Sequence, residues 1–550
     1  MSRDVLVDGY TLFVGDPDRV GVAPDDDGGL YYRDTRHLSV LGVECDSGEL
    51  GTVGRDLTAP NHRAVVATDD SPAVNRVDEP DPKRSELVLR TEQTVSGGGD
   101  FLQQACVVNH SAVPYSGTVS VAFDVDFADI FEVRGFTSRL ERVPTSTVGD
   151  RAVTFAYDYE AAAGATETCR TTVAFDSDPA MLTPTRASFD VTLDPQERTT
   201  ITCRVRATAP GETPAVADGS APRDPLAPLD AGSDRGATDI PAVSTGRRDY
   251  DRVFERAGED LGALTAGTEH GPVPLAGAPW FATVFGRDSL IAAYQALPVA
   301  PSLARGTIRY LAAYQGTSVD DDREEEPGKI FHEIRDGELT RRDRTPHSPY
   351  YGSVDATPLW IVLLAELHRW TGDDAFVADL EGALDRAVDW ITRSMAAHAD
   401  DPFVYYEESP TMGLLHKAWR DTPGSVQFPD GTVAESPIAS VEVQGYAYRA
   451  LRDAAGLYEA VLDDATRAAE LRDRADRLAD AFGETFWLPD AGYYGVAKDG
   501  DGTTVPTHTS NVGHCLWSGI VPDDRAGDVA TTLASGELFS GWGLRTMSAG

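Results

Sequence analysis

Lysine is almost missing from this sequence: 4 of its 550 residues (Lys83, Lys329, Lys417, Lys498) are Lys, against 44 Arg. Cysteine is nearly as scarce. The five present (Cys45, Cys106, Cys169, Cys203, Cys515) make no CxxC pair and no zinc spacing, which argues against a disulfide framework or a structural metal. No apolar run approaches membrane-spanning length, and the opening Met1-Ser2-Arg3-Asp4-Val5 has no apolar signal region, so the expected location is the cytoplasm.

Carboxylate is what the chain has in excess. Asp (60) outnumbers Glu (29), and the net charge is −41, which speaks against a nucleic-acid or anionic-membrane partner. Dense carboxylates with scarce Lys and many Ala and Gly resemble the proteins of a salt-loving archaeon, whose self-repulsion salt screens. The melting temperature is therefore expected to fall when molar salt is removed. Equal midpoints in low and molar salt would contradict this.

The length implies two or three domains. Residues 1–207 read as β structure: Leu87 to Val95, Val119 to Phe127, Val153 to Tyr159, Thr171 to Phe175, Phe189 to Leu193 and Thr200 to Val205 are short β-branched and aromatic runs separated by turn residues. Their spacing predicts an antiparallel β-sandwich. Residues 208–246, loaded with Pro, Gly, Ala and Asp, read as a linker. From 247 to 550 the period turns helical. Val253, Phe254, Ala257, Leu261 and Leu264 mark one helix; Leu359 to Leu367 a second; Phe376 to Ile391 a third; Val441 to Leu457 and Ala468 to Phe482 two more. Long connections rich in Gly, Pro, Trp and Tyr join them, where binding residues usually sit.

No hydrolytic triad, phosphate loop, dinucleotide-binding glycine pattern or HExxH sequence is present, and no cofactor is expected. His332-Glu333 lacks a second histidine at helical spacing, and the acidic run Asp320 to Glu326 reads as a solvated loop with room for a loosely held calcium; no metal is expected at the site. What remains is carboxylates beside aromatics. Trp280 and Phe281 precede Gly286-Arg287-Asp288 at the mouth of a helix. Asp355 leads into another helix, Trp419-Arg420-Asp421 sits between helices, and Glu442 opens a further one. Arg and Asp together can bind adjacent hydroxyls while an indole covers a pyranose face, as a sugar pocket requires. The competing readings are local: Asp288 against a helix dipole, Asp355 as an N-cap, Asp421 in a turn, Glu442 as an exposed first-turn acid.

Taken together, several ordered segments resemble the glycogen debranching enzymes of the amylo-α-1,6-glucosidase type. In the first half these are Gly29-Leu30-Tyr31-Tyr32-Arg33-Asp34-Thr35-Arg36-His37-Leu38-Ser39 and Asp126 to Gly135. In the second they are Pro279 to Ser289, Ser353 to Leu359, Thr371-Gly372-Asp373, Trp419-Arg420-Asp421, Glu442 to Tyr446, Asn511 with His514 and Trp517, and Gly541 to Thr546. The resemblance implies a glucoamylase-like (α/α)6 toroid that binds a terminal α-glucosyl unit of an α-glucan or oligosaccharide. Arg287 and Asp288 would grip its hydroxyls; Trp280, Asp355, Trp419, Glu442 and Arg545 would line the same pocket. Asp421 would be the general acid of an inverting reaction. The family's base lies after the Gly541–Thr546 segment, so the sequence leads us to expect a toroid incomplete at its C-terminus, or another acid in that role. Hydrolysis of a small glycoside on the same scaffold and a non-catalytic glucan-binding remnant are the alternatives.

Overall fold

A computed structural model describes residues 3–17, 19–23, 27–46, 50–69, 87–137, 139–212, 240–398, 401–408 and 413–548. Of the residues read above, Met1, Ser2, Lys83, 213–239 of the linker, Ala549 and Gly550 lie outside them. The chain divides into two compact units. The first is Met1–Gly267 with Pro274–Thr283 and Arg335–Ser348; the second is Thr268–Val273, Val284–Ile334 and Pro349–Gly550.

Alternating burial organises the first unit. Leu87–Ser96 and Asp100–Asn109 pair antiparallel, so that Leu89 meets Val107 and Val95 meets Phe101, all on the buried face. They lie inside an eight-stranded sheet ordered Thr145–Val148, Ala152–Glu160, Thr166–Phe175, Arg198–Thr208, Asp100–Asn109, Leu87–Ser96, His62–Asp69, Leu50–Ala59. A four-stranded sheet, Met181–Thr183, Arg186–Leu193, Tyr115–Asp124 and Val40–Cys45, supplies Leu41, Val121, Phe123 and Phe189 to the same apolar core. These β-sandwich-like sheets are the architecture the alternation predicted. Each fully buried Val, Leu or Phe contributes about 1.5–3 kcal/mol.

One strand ends earlier than its alternation suggests. The predicted run to Phe127 stops at Asp124, whose carboxylate accepts from Val125 N at 2.8 Å. Phe127 then takes a positive φ of 49°, and Asp129 caps the short helix Ile130–Val133 in a capping box with Glu132. Side-chain hydrogen bonds to the backbone outcompete the ladder here. The two N-terminal family segments meet at this corner: Arg36, fully buried, forms an ion pair with Asp126. Asp34 at the hairpin tip accepts from Arg335 and from Asp336 N, each at 2.9 Å. These segments hold the unit together.

The helix Arg248–Ala263 forms, but its apolar stripe is not sealed. Val253 is 65% and Phe254 48% exposed, and only Gly262 and Ala263 are buried, beside Gly9 N, which donates to Ala263 O at 2.8 Å. Amphipathic periodicity predicted the element and not the burial.

Helices dominate the second unit. Ala356–Thr371, Val441–Ala460 and Ala465–Thr485 agree with the predicted periodicity; Gly286–Ala296, Pro301–Ala313, Asn511–Ser518 and Asp523–Leu533 join them. Val441–Ala460 packs against Ala356–Thr371, Ala465–Thr485 and Asn511–Ser518. The run Phe376 to Ile391 is two helices, Asp374–Asp379 and Glu381–Ala396, because Leu380 leaves helical geometry at φ −106°, ψ 7°. Thr371-Gly372-Asp373 is a stop and a restart. Gly372 takes the left-handed conformation that ends one helix, and Asp373 caps the next through Phe376 N at 3.1 Å.

Candidate active site

Three backbone links assemble the site within the second unit. Gly286 N donates to His332 O at 2.8 Å, and His332 N donates to Tyr350 O at 2.7 Å, so the 330–334 segment ties the helix opening at Gly286 to the loop before Asp355. Gly286 is required by this approach, since a Cβ there would lie 2.2 Å from Phe331 O. Val354 N then donates to Lys417 O at 2.9 Å, which sets the Trp419–Asp421 loop beside the start of Ala356–Thr371.

These links converge on Arg287. Its Nη1 donates to Asp355 Oδ2 at 2.9 Å and its Nη2 to Asp421 Oδ2 at 3.1 Å, while Asp288 Oδ2 lies 3.9 Å from Nε. Asp355 occupies the N-cap position and makes no capping bond; its fully buried carboxylate serves Arg287 instead. Burial works against the Arg287 charge, but Asp355, Asp288 and Asp421 outweigh it and raise the pKa. Burial raises Asp288 despite Arg287.

Glu442 is not the exposed first-turn acid of the local reading. It is fully buried, its Oε2 accepts from Asn511 Nδ2 at 2.8 Å, and burial pushes its pKa up to about 7, against the lowering hydrogen bond of Asn511. Gln444, one turn in, exchanges two hydrogen bonds of 2.9 Å with the backbone of Val404 and so pins the helix opening. Burial lowers the pKa of both His332 and His514. Trp419 lies 5.8 Å from the His514 ring, and His514 Nδ1 shares a 2.8 Å hydrogen bond with Tyr446.

The raised Glu442 has a stability consequence. A carboxyl whose folded pKa exceeds its unfolded one contributes stability that is fully present below the unfolded value, here near 4.5, and lost as pH rises through about 7. Glu442→Gln is therefore expected to gain relative to wild type as pH rises from 5 to 8, by up to about 3 kcal/mol. Melting curves across that range check it; a pH-independent difference would remove Glu442 from this role.

Arg287, Asp288, Asp355 and Asp421 thus stand together, with Trp419 and Glu442 in the same unit. Trp280 belongs to the first unit, where its ring meets Tyr31 edge-on at 6.2 Å and its carbonyl accepts from Arg335 at 3.2 Å. Arg545 Nη1 donates to Gly536 O and Glu537 O at 3.0 and 3.3 Å, while the next residue, Thr546, accepts through its carbonyl from Arg420 of the Trp419–Asp421 loop at 3.2 Å. Sequence reasoning weighed His332 only as a metal ligand and gave Asn511, His514 and Tyr446 no role. Asn511 and His514, three apart in one helix, share a face, and that spacing was the available signal. The acidic run is occupied locally: Glu325 accepts from Thr317 N and Ser318 N, and Glu324 pairs with Lys417. Among the described residues no group of His, Cys, Asp and Glu is arranged to hold a metal ion, and no helix is long and apolar enough to cross a membrane.

Residues 284–549, which hold the whole Arg287 cluster, match the family described as the mannosylglycerate hydrolase MGH1-like glycoside hydrolase domain. The second unit carries a glycoside hydrolase-like domain. Residues 6–204 match the N-terminal domain of (some) glycogen debranching enzymes. No curated protein matches the chain. Among solved structures, a provisionally assigned kojibiose phosphorylase from the human microbiome is similar at 8% identity and a TM-score of 0.51, over 90% of this chain and 69% of that one, a likeness of fold. A rhamnosidase from Klebsiella oxytoca with rhamnose bound matches at 12% identity and a TM-score of 0.41, over 90% of this chain and 79% of its own. The GH78 rhamnosidase of Bacillus sp. GL1 matches at 14% and 0.37, over 75% and 40%.

Proposed function

We propose that the protein is an inverting glycoside hydrolase that removes α-1,6-linked glucosyl units from glycogen or a related α-glucan, on an (α/α)6 toroid. One observation carries the site: around Arg287, buried polar atoms lack hydrogen-bond partners among the described residues. They are Asp355 Oδ1, Glu442 Oε1, Asn511 Oδ1, His332 Nδ1, Trp419 Nε1 and Ser353 Oγ. Each such atom costs about 1–3 kcal/mol when buried unsatisfied. A polyhydroxylated ring, whose hydroxyls both donate and accept, supplies partners to both kinds of atom. The debranching specificity is supported by the match of residues 6–204.

In this reading Asp421 donates a proton to the glycosidic oxygen as the bond from the anomeric carbon breaks. A water, deprotonated by a second carboxylate roughly 6.5–9.5 Å from the first, attacks the opposite face. Asp421 faces the Arg287 guanidinium in this structure. To act as a donor it must part from that group, so Arg287 turns to the sugar hydroxyls as substrate enters. Asp288 and Asp355 hold hydroxyls, and Trp419 covers the ring.

The match of residues 284–549 favours a second reading, hydrolysis of a small glycoside such as mannosylglycerate. Limit dextrin, isomaltose, trehalose and mannosylglycerate, offered in parallel with the first-formed anomer read by proton NMR, decide between them. Glucose released in the β form from limit dextrin supports debranching. Turnover of mannosylglycerate alone overturns it.

A further inference from the structure

The second unit holds a cavity of about 540 Å3 that none of Arg287, Asp355, Asp421 and Glu442 lines. That is within the range of small-molecule sites, roughly 300–1,000 Å3. Two of the four lysines in the chain, Lys329 and Lys417, line it, and both are buried. Lys329 Nζ lies 3.0 Å from Glu326, which also accepts from Trp390 Nε1 at 3.0 Å. Lys417 pairs with Glu324, which accepts from Tyr350 Oη at 2.9 Å. This wall is fixed by its own network.

The run Tyr405-Tyr406-Glu407-Glu408 also lines the cavity. The rings are anchored, since Tyr405 Oη donates to Asp401 at 2.9 Å and Tyr406 Oη shares a 3.2 Å hydrogen bond with His416 Nδ1, while Glu407 and Glu408 are exposed. The lining selects by charge. An anion would face the carboxylates of this run. A metal ion would need converging acids, and among the described residues no such group exists. A neutral polyol can donate to the carboxylates, accept from the ammonium groups, and lay its C–H face on a tyrosine ring. Val354 and Lys417 line the cavity and, through the bond between their backbones, also position Asp355 and the Trp419–Asp421 loop.

We propose that this cavity is a second subsite for an α-glucan chain, separate from the cluster that holds the terminal sugar. The proposal rests on the glycosidase reading and names a chain, not a small glycoside, as the substrate. Calorimetry on the full chain carrying Asp421→Asn tests it, with maltose and maltoheptaose as probes. Maltoheptaose should bind at least about tenfold more tightly than maltose. Tyr405→Ala should remove most of that gain, and the exposed pair Glu407→Gln with Glu408→Gln should weaken maltoheptaose several-fold with an unchanged melting temperature. Equal affinity for both probes, or a maltoheptaose affinity that neither variant changes, overturns the subsite. Failure of the glycosidase reading shows separately, as absence of hydrolysis across the four-substrate panel by the unmutated protein.

Discussion

Asp421→Asn is expected to lower glucose release from a branched limit dextrin by about 10²–10⁴-fold, the usual contribution of a positioned general acid. Affinity for the dextrin should change little. The expectation follows from geometry. Asn keeps an oxygen that can accept from Arg287 Nη2, now 3.1 Å from Asp421, and Asp355 retains its own 2.9 Å bond to Nη1. What disappears is the proton. Rates with substrates whose leaving group needs no protonation, such as aryl glycosides with acidic phenols, should fall much less, which separates a lost acid from a damaged pocket. A variant that cleaves limit dextrin at near wild-type rate would remove Asp421 from the acid role.

Arg287→Met should be the most destabilising change at the site. Asp355 has no exposed side-chain surface, and Arg287 is the cation that compensates it. Removing one member of a buried pair costs about 3–5 kcal/mol, because the remaining charge is left uncompensated. In a unit of this size that lowers the melting temperature by roughly 10 °C. Arg287→Lys keeps the charge and loses the fork that spans two carboxylates, so it should recover part of the stability and little of the activity. Adding Asp355→Asn to Arg287→Met should restore much of the melting temperature by removing the orphaned charge, with glucose release still absent. If Arg287→Met melts like wild type, the pair with Asp355 does not hold the site together.

Particular residues show how far the sequence could be read. Period-two alternation in Leu87 to Val95 and Val153 to Tyr159 names strands because one face of a sheet is buried and the other is wet. The same logic placed the helices from Ala356 and Val441. It misread Phe127, where the carboxylates of Asp124 and Asp129 accept from backbone N–H groups and end the ladder, and Phe376 to Ile391, where one residue leaves helical geometry inside an unbroken apolar stripe. Val253 and Phe254 show a further limit, since amphipathicity states which face is apolar and not whether anything covers it.

The candidate site divides in the same way. Residue types and order were enough to single out Arg287, Asp288, Asp355, Trp419, Asp421 and Glu442 as candidates, because carboxylates beside an arginine and a tryptophan can bind sugar hydroxyls. Each acid also had a local reading as a cap, turn or first-turn residue. Sequence alone also determined the acidic, lysine-poor surface and the change from β to helical period, for both are properties of composition and local spacing. Tertiary structure decided that one guanidinium spans Asp355 and Asp421, 68 and 134 residues away, and that Glu442 is buried against Asn511. It also decided that Arg545 donates to the carbonyls of Gly536 and Glu537. Those facts depend on which distant segments the backbone bonds at Gly286, His332 and Val354 bring together. Burial, ion pairing and the resulting pKa shifts exist only once that packing has removed the water.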